Sequence, residues 1–170
     1  MKKIKLLFIM IFLLMLSSCS VQENMSSLIF IQRLEKQNKA VVIDTEDMYI
    51  KNDEYIVFAG DENEKPFVLS ITVDDADNVK KICLACNNTN KAEDFKIFAE
   101  NIIKAYSPYD DPTEVLSMLF SEEWSYYDTQ WYSYASSTME DSMFFSVKSK
   151  KLSTESDARL TLKQNDITTY

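Results

Sequence analysis

The sequence predicts an α+β fold: an antiparallel β-sheet, built from a β-meander and C-terminal strands, packed with two or three helices on one face. Three observations lead to this prediction. Alternating apolar and polar residues, separated by polar turns, indicate about four consecutive strands over residues 47–86. Apolar residues at helical spacing follow over residues 90–120. Alternation then returns in the last third of the chain, so the strands and the helices are segregated along the sequence.

A first helix is predicted to precede the meander, over Ser26–Asn38. Ser26 or Ser27 is suited to cap it, because a serine hydroxyl accepts a hydrogen bond from an unpaired N–H group of the first turn. The side chains predicted to face inward are Leu28, Phe30, Ile31 and Leu34. The strands of the meander are predicted at Asp47–Lys51, Glu54–Ala59, Phe67–Val73 and Val79–Cys86. The segments Asn52–Asp53 and Asp74–Asn78 between them carry turn signals.

Two further helices are predicted after the meander. Asn90 and Glu93 resemble a capping box at the start of the first of them. Its apolar stripe consists of Phe95, Phe98, Ala99, Ile102 and Tyr106. Asp111 and Pro112 start the second, because they pair a side-chain cap with a proline in the first turn. Its inward residues are predicted to be Val115, Leu116, Leu119 and Phe120.

An aromatic tract opens the last third of the chain and contains Trp124, Tyr126, Tyr127, Trp131, Tyr132 and Tyr134. On one continuous strand, one face would carry Trp124, Tyr126, Tyr132 and Tyr134, and the other face Tyr127 and Trp131. Exposed tryptophan and tyrosine bury a large area on binding at a low entropic cost, so the tract is a candidate binding surface for a protein or a glycan. The alternative is that its rings fill the space between the sheet and the helices.

The rest of the chain completes one predicted domain over residues 26–163. Strands are predicted at Ser142–Lys148 and at Ala158–Lys163. Residues 164–170 are polar and are predicted to form a frayed tail.

The composition excludes several kinds of chemistry. The chain has no histidine, which removes the Ser-His-Asp and Cys-His triads and the usual zinc sites. Its one glycine, Gly60, leaves no glycine-rich phosphate-binding loop. A net charge of −9 argues against nucleic acid as a partner. These absences do not exclude a catalytic pair of carboxylates of the glycosidase type, but the acidic residues are too numerous for two of them to be singled out. We expect no enzyme activity, no catalytic residue, no metal and no cofactor. The acidic stretch Asp74, Asp75 and Asp77 lacks the glycine and the distal glutamate of a calcium loop, which favours a plain turn.

Cys83 and Cys86 form a C-x-x-C pair with three interpretations: redox catalysis, a local or regulatory disulfide, or two ordinary strand thiols. In thioredoxin-like proteins such a pair starts a helix, whose N-terminus lowers the thiol pKa. Here the pair ends a predicted strand, where residues three apart point to opposite faces and a direct bridge is strained. Ordinary thiols are favoured, and a thiol–disulfide protein is the alternative function.

The first residues have the layout of an export signal. Lys2, Lys3 and Lys5 precede the apolar run Leu6–Leu16. This run has about eleven residues, fewer than the roughly 20 that a membrane-spanning helix needs. The sequence Leu16-Ser17-Ser18-Cys19 then resembles the lipobox of bacterial lipoproteins.

The lipoprotein resemblance implies that residues 1–18 are a signal peptide and that Cys19 carries a diacylglycerol group. Residues 19–25 would be a short tether. Two acyl chains anchor a protein stably, so the domain would lie on the extracytoplasmic face of the cell membrane and bind an envelope protein or glycan. Removing residues 1–18, which carry three lysines and no acidic residue, shifts the net charge from −9 to −12. That charge opposes attraction to anionic lipid.

Overall fold

The computed structural model describes residues 24–37, 42–51, 53–60 and 64–150. It confirms the predicted fold class, because three α-helices in this part of the chain pack on one face of an antiparallel sheet. Five predictions concern residues outside the described ranges: the signal peptide, the lipidation of Cys19, the tether up to residue 23, the strand at Ala158–Lys163 and the frayed tail at 164–170.

The helices and strands follow one another in a simple order. The helices are α1 (Ser27–Gln37), α2 (Ala92–Tyr106) and α3 (Pro112–Leu119). The strands are β1 (Val42–Lys51), β2 (Glu54–Gly60), β3 (Phe67–Val73), β4 (Val79–Cys86), β5 (Trp124–Asp128), β6 (Tyr132–Met139) and β7 (Ser142–Ser149). A 3₁₀ turn at Thr89–Lys91 leads into α2.

The described strands form one sheet in the order β1-β2-β3-β4-β7-β6-β5, in which all neighbours are antiparallel. The first half, β1 to β4, is the predicted meander. The two halves join where β4 pairs with β7, with Leu84 opposite Phe145 near the centre of the sheet. Both α2 and α3 lie in the connection between β4 and β5.

One face of the sheet forms the core with the three helices. Burial alternates along β3, where Phe67, Leu69, Ile71 and Val73 are buried and the residues between them are half-buried. Aromatic rings from α2 fill the space above the sheet, with Phe98 at 5.5 Å from Phe67 between ring centroids. Full burial of such a side chain contributes roughly 1.5–3 kcal/mol to stability.

The opposite face is called the helix-free face, because no helix among the described residues packs on it. Its side chains alternate with those of the core. In the four central strands they are Val68, Ser70, Thr72, Lys81, Cys83, Ala85, Phe144, Ser146, Lys148, Ser133, Ala135 and Ser137. Most of these side chains are small, so the middle of this face projects little above the backbone of the sheet.

In helix α1, one of the residues predicted to face inward is exposed. Phe30, Ile31 and Leu34 are buried as predicted, but Leu28 is 62% exposed. At 100° per residue, Leu28 lies roughly 110° around the helix from the centre of the buried stripe. Met25, which the sequence assigned to the tether, is buried, and its carbonyl accepts a hydrogen bond from the N–H of Val79 at 2.8 Å. The folded domain therefore includes Met25.

Two further predictions, the start of β1 and the cap of α2, are wrong. Strand β1 begins at Val42 rather than Asp47, because a register shift between Asp44 and Tyr49 breaks the alternation that would have marked it. The capping box predicted from Asn90 and Glu93 is not formed: Lys91 is the N-cap of α2 and makes no side-chain capping bond. Asp111 does cap α3 as predicted, and its carboxylate accepts from the N–H of Thr113 at 2.9 Å.

The sheet has two distinct ends. The entry end contains the β1–β2 turn at Asp53, the β3–β4 turn at Asp74–Asn78 and the β5–β6 turn at Thr129–Trp131. The chain joins the sheet at this end, since Ser26 forms a bridge with Asn78. The far end contains the β6–β7 turn and the start of α2.

Candidate binding surface

The predicted aromatic tract is a hairpin and not one strand. Residues Thr129–Trp131 turn the chain from β5 into β6. The N–H of Thr129 donates to the carbonyl oxygen of Tyr132 at 2.9 Å. The hydroxyl of Thr129 in turn accepts from the N–H of Tyr132 at 3.2 Å. The turn is therefore closed by its own first residue.

The hairpin register separates the aromatic residues into two groups. Tyr126 pairs with Ala135, and Tyr127 pairs with Tyr134. Even-numbered residues of β5 consequently share a face with odd-numbered residues of β6. The shared face expected for Trp124, Tyr126, Tyr132 and Tyr134 on a continuous strand is therefore not formed.

Trp124 and Tyr126 lie on the helix-free face at the edge of the sheet. Trp124 is 47% exposed and Tyr126 is 55% exposed. Their cross-strand neighbours in β6 are Ser137 and Ala135, which are small and buried. The two large rings therefore stand beside a low strip of the sheet. We call Trp124, Tyr126 and Asp128 the β5 surface.

Asp128 organises the polar part of the β5 surface. Its Oδ1 accepts hydrogen bonds from the hydroxyl of Tyr126 at 2.9 Å and from the hydroxyl of Ser133 at 2.6 Å. The Nζ of Lys150 lies 3.2 Å from the same oxygen. Partial burial alone would raise the pKa of Asp128, but these hydrogen bonds, led by that of Ser133, outweigh it and lower the pKa. Tyr126 is thus held in place by a carboxylate that stays ionised at neutral pH.

Tyr132 and Tyr134 belong to the core and not to a surface. Tyr134 is fully buried, and its hydroxyl donates to Asp110 Oδ2 at 2.6 Å. Ser107 Oγ lies 2.7 Å from the same hydroxyl. Tyr132 donates to the carbonyl oxygen of Tyr106 at 3.0 Å. The alternative interpretation is therefore correct for these two residues: their rings fill the space between the sheet and the helices.

Tyr127 and Trp131 occupy intermediate positions. Tyr127 faces the helices and donates to Glu114 Oε1 in α3 at 2.7 Å. That hydrogen bond, together with desolvation, raises the pKa of the Tyr127 phenol. Trp131 lies in the β5–β6 turn and packs, half-buried, against the core. Of the six aromatic residues, Trp124 and Tyr126 alone are exposed.

The C-x-x-C pair is split between the two faces of β4. Cys86 is buried on the helix side, and Cys83 is half-buried on the helix-free face. Both thiols are free. Burial raises the pKa of each thiol, and the nearby Lys81 only partly offsets this for Cys83. A redox pair needs accessible neighbouring thiols with a lowered pKa, so this arrangement does not favour the thiol–disulfide alternative.

The acidic turn is occupied by its own hydrogen bonds. Asp74 Oδ1 accepts from the N–H of Ala76 at 3.0 Å and from the N–H of Asn78 at 2.8 Å. The side chain of Asn78 makes the largest contribution to lowering the pKa of Asp74. Among residues 24–37, 42–51, 53–60 and 64–150, no group of three acidic or cysteine side chains could hold a metal ion.

A pocket that the sequence did not indicate lies at the far end. It has a volume of about 220 Å³ and is lined by Thr89, Ala92, Lys96, Phe120, Glu122, Thr138 and Met143. These residues come from the start of α2, the end of α3 and the β6–β7 hairpin, so no local sequence pattern marks them. The network around Asp128 was missed for the same reason, because Ser133 and Lys150 lie beyond the turn.

No protein-family model matches the chain, and neither curated proteins nor solved structures include a match. In the part of the chain that the structure describes, none of the helices is long and apolar enough to cross a membrane.

Proposed function

We propose that this chain is a lipid-anchored bacterial lipoprotein whose domain binds a protein partner in the cell envelope through the β5 surface. It acts as a binding module on the extracytoplasmic face of the membrane and not as an enzyme. The observation that carries the proposal is the pair of large exposed rings, Trp124 and Tyr126, at the edge of the helix-free face.

Three features of the β5 surface support binding. Tryptophan and tyrosine are enriched among the residues that contribute most to protein interfaces. The Tyr126 ring is preorganised by its hydrogen bond to Asp128, which lowers the entropic cost of binding. Among the described residues, strand β5 is also an edge strand of the sheet, and addition of an extended partner segment to a sheet edge is a common mode of recognition.

The anchor is supported by the sequence. Lys2, Lys3 and Lys5, the apolar run and Leu16–Cys19 together resemble a lipoprotein signal. Intact-mass spectrometry of the protein purified from bacterial membranes tests it. The expected mass is that of residues 19–170 plus acyl chains. A mature protein without acyl chains would contradict the anchor.

The binding surface is tested by photo-crosslinking in intact cells. A photoreactive phenylalanine analogue at Tyr126 is expected to give one discrete crosslinked species. The matched control is the same analogue at Tyr49, which is 63% exposed on the helix-free side of the opposite edge strand. The species from Tyr126 should disappear when Trp124 is replaced by alanine, and the thermal melt of that variant should match the wild type.

Three outcomes would overturn the proposed partner or surface. Equal crosslinking from Tyr126 and Tyr49 would mean that the contacts are nonspecific. A species that survives Trp124→Ala would remove Trp124 from the interface, and the pair of exposed rings would no longer define the surface. Retention of the purified protein on isolated cell-wall glycan, lost in Trp124→Ala, would keep the surface but replace the protein partner by a glycan.

A further inference from the structure

The exposed apolar side chains of α1 are confined to its first turn. Leu28 and Ile29 are 62% and 44% exposed. The other exposed residues of the helix are polar: Gln32, Glu35, Lys36 and Gln37. An exposed leucine and isoleucine side by side therefore mark one end of the helix, and this is the end at which the chain enters the domain.

A third exposed apolar residue, Ile50, borders the same end. Ile50 is 67% exposed near the end of β1, where it pairs with Tyr55 of β2. The hydroxyl of Tyr55 donates to Asp77 Oδ1 at 3.3 Å, and Ser27 donates to Asp77 Oδ2. Asp77 thus links the strand next to Ile50 with the first turn of α1. We call Leu28, Ile29 and Ile50 the entry-end apolar cluster.

The length of the tether decides which end of the domain faces the membrane. Six residue steps separate Cys19 from the buried Met25, and they span at most about 22 Å when fully extended. Strand β4 alone, with eight residues, is roughly 26 Å long. A lipid on Cys19 can therefore hold the entry end at the membrane, whereas the far end is out of its reach.

We infer that the entry-end apolar cluster docks on the lipid bilayer in which Cys19 is anchored. Leu28, Ile29 and Ile50 insert at the level of the headgroups and the first acyl carbons, as apolar faces of interfacial proteins do. The strands then run away from the membrane, and the β6–β7 hairpin with the far-end pocket points outward. This inference rests on the proposed lipidation of Cys19.

The charges at the entry end imply that apolar contacts, and not electrostatic attraction, drive this docking. Asp53 and Asp75 are exposed there, and Asp74 and Asp77 lie in the same turn region. Lys51, which is exposed, and Lys80, which is half-buried and helps to lower the pKa of Asp74, are the cations nearest to them in sequence, so carboxylates outnumber cations four to two at these turns. Anionic headgroups would meet more negative than positive charge, so the contact forms best on zwitterionic lipid.

The test uses the mature acylated protein, residues 19–170, in vesicles of phosphatidylcholine. A fluorescent NBD label is attached at Leu28→Cys, and the control label at Met139→Cys, which replaces a 42% exposed residue in the far-end hairpin. Lipids with a nitroxide on the acyl chain then quench the label by contact. Wild-type protein labelled in parallel corrects for reaction at Cys83 and Cys86.

The label at Leu28→Cys is expected to be quenched at least about twofold more than the label at Met139→Cys, because only an inserted group reaches the acyl chains. Equal quenching at the two positions in acylated, vesicle-bound protein would overturn the docking and leave the anchor intact. Failure of the anchor is recognised separately, since unacylated protein would not float with the vesicles. A second variant, Ile50→Gln, should reduce the quenching at Leu28→Cys, and an unchanged value would remove Ile50 from the contact.

Discussion

Asp77 and Ser27 are joined by two hydrogen bonds that fasten the first turn of α1 to the β3–β4 turn. Asp77 Oδ2 accepts from the hydroxyl of Ser27 at 3.0 Å and from its N–H at 3.3 Å. Asp77 also has a left-handed backbone conformation, with φ of 60°, which aspartate and asparagine adopt more readily than other residues with side chains. One residue thus sets both the turn and the position at which the chain enters the fold.

Replacing Asp77 by alanine is expected to lower the free energy of unfolding by about 1–3 kcal/mol, because hydrogen bonds to a charged group are lost and the turn is strained. Urea unfolding followed by circular dichroism measures the change. Asp75→Ala is the control, since Asp75 is exposed in the same turn. If the two variants were equally stable, the hydrogen bonds between the turn and α1 would contribute nothing to the free energy of unfolding.

The hydroxyl of Tyr134 is expected to stabilise the core. Tyr134→Phe removes the hydrogen bond to Asp110 and leaves a partly buried carboxylate with one donor fewer, which costs about 1–3 kcal/mol of unfolding free energy. Tyr126→Phe removes a hydroxyl from an exposed ring and should cost less than about 0.5 kcal/mol. Both variants are compared with the wild type by urea unfolding. A Tyr134→Phe protein as stable as Tyr126→Phe would contradict the structural role of this network.

The stability of the domain is expected to fall in alkali. Burial raises the pKa of both Tyr106 and Tyr134 above the ordinary value for a tyrosine. Above about pH 10 these phenols ionise in the unfolded chain but keep their protons in the folded protein. The unfolded state then binds fewer protons than the folded state, so the free energy of unfolding decreases as the pH rises.

Urea unfolding at pH 8, 9, 10 and 11 measures this dependence. The two tyrosines should contribute nothing to the pH dependence at the lower values, where both states are protonated. Tyr134→Phe should show a shallower decline above pH 10, because one of the phenols with a raised pKa is gone. An identical slope in the variant would show that Tyr134 is not responsible.

The two thiols are expected to be unreactive in the folded protein. Burial raises the pKa of Cys83 and Cys86, so little thiolate is present at neutral pH, and Cys86 is also inaccessible. Alkylation with iodoacetamide at pH 7 should be much slower in the native protein than in urea, with Cys83 reacting before Cys86. Rapid native alkylation of both residues, or a disulfide that forms readily, would revive the thiol–disulfide alternative.

Local sequence patterns were sufficient to predict most of the helices and strands. The alternation in β3 and the apolar stripe of α2 are confirmed residue by residue, because burial on one face imposes a period of two on a strand and 3.6 on a helix. The cap at Asp111 is confirmed as well, since a capping side chain acts within its own first turn. Where a bulge or a turn interrupted the pattern, as in β1 and in Trp124–Tyr134, the sequence-based boundaries were wrong.

By itself, the sequence determined the fold class, the alternation of core and surface in the strands, and the lipoprotein-like start, because each depends on residues close together in the chain. Tertiary structure alone decided which rings of the aromatic tract are exposed, since the β5–β6 turn and its register assign Trp124 and Tyr126 to one face and Tyr134 to the other. It also decided that Met25 belongs to the folded domain, because the hydrogen bond from the N–H of Val79 to its carbonyl oxygen joins residues that are far apart in the chain.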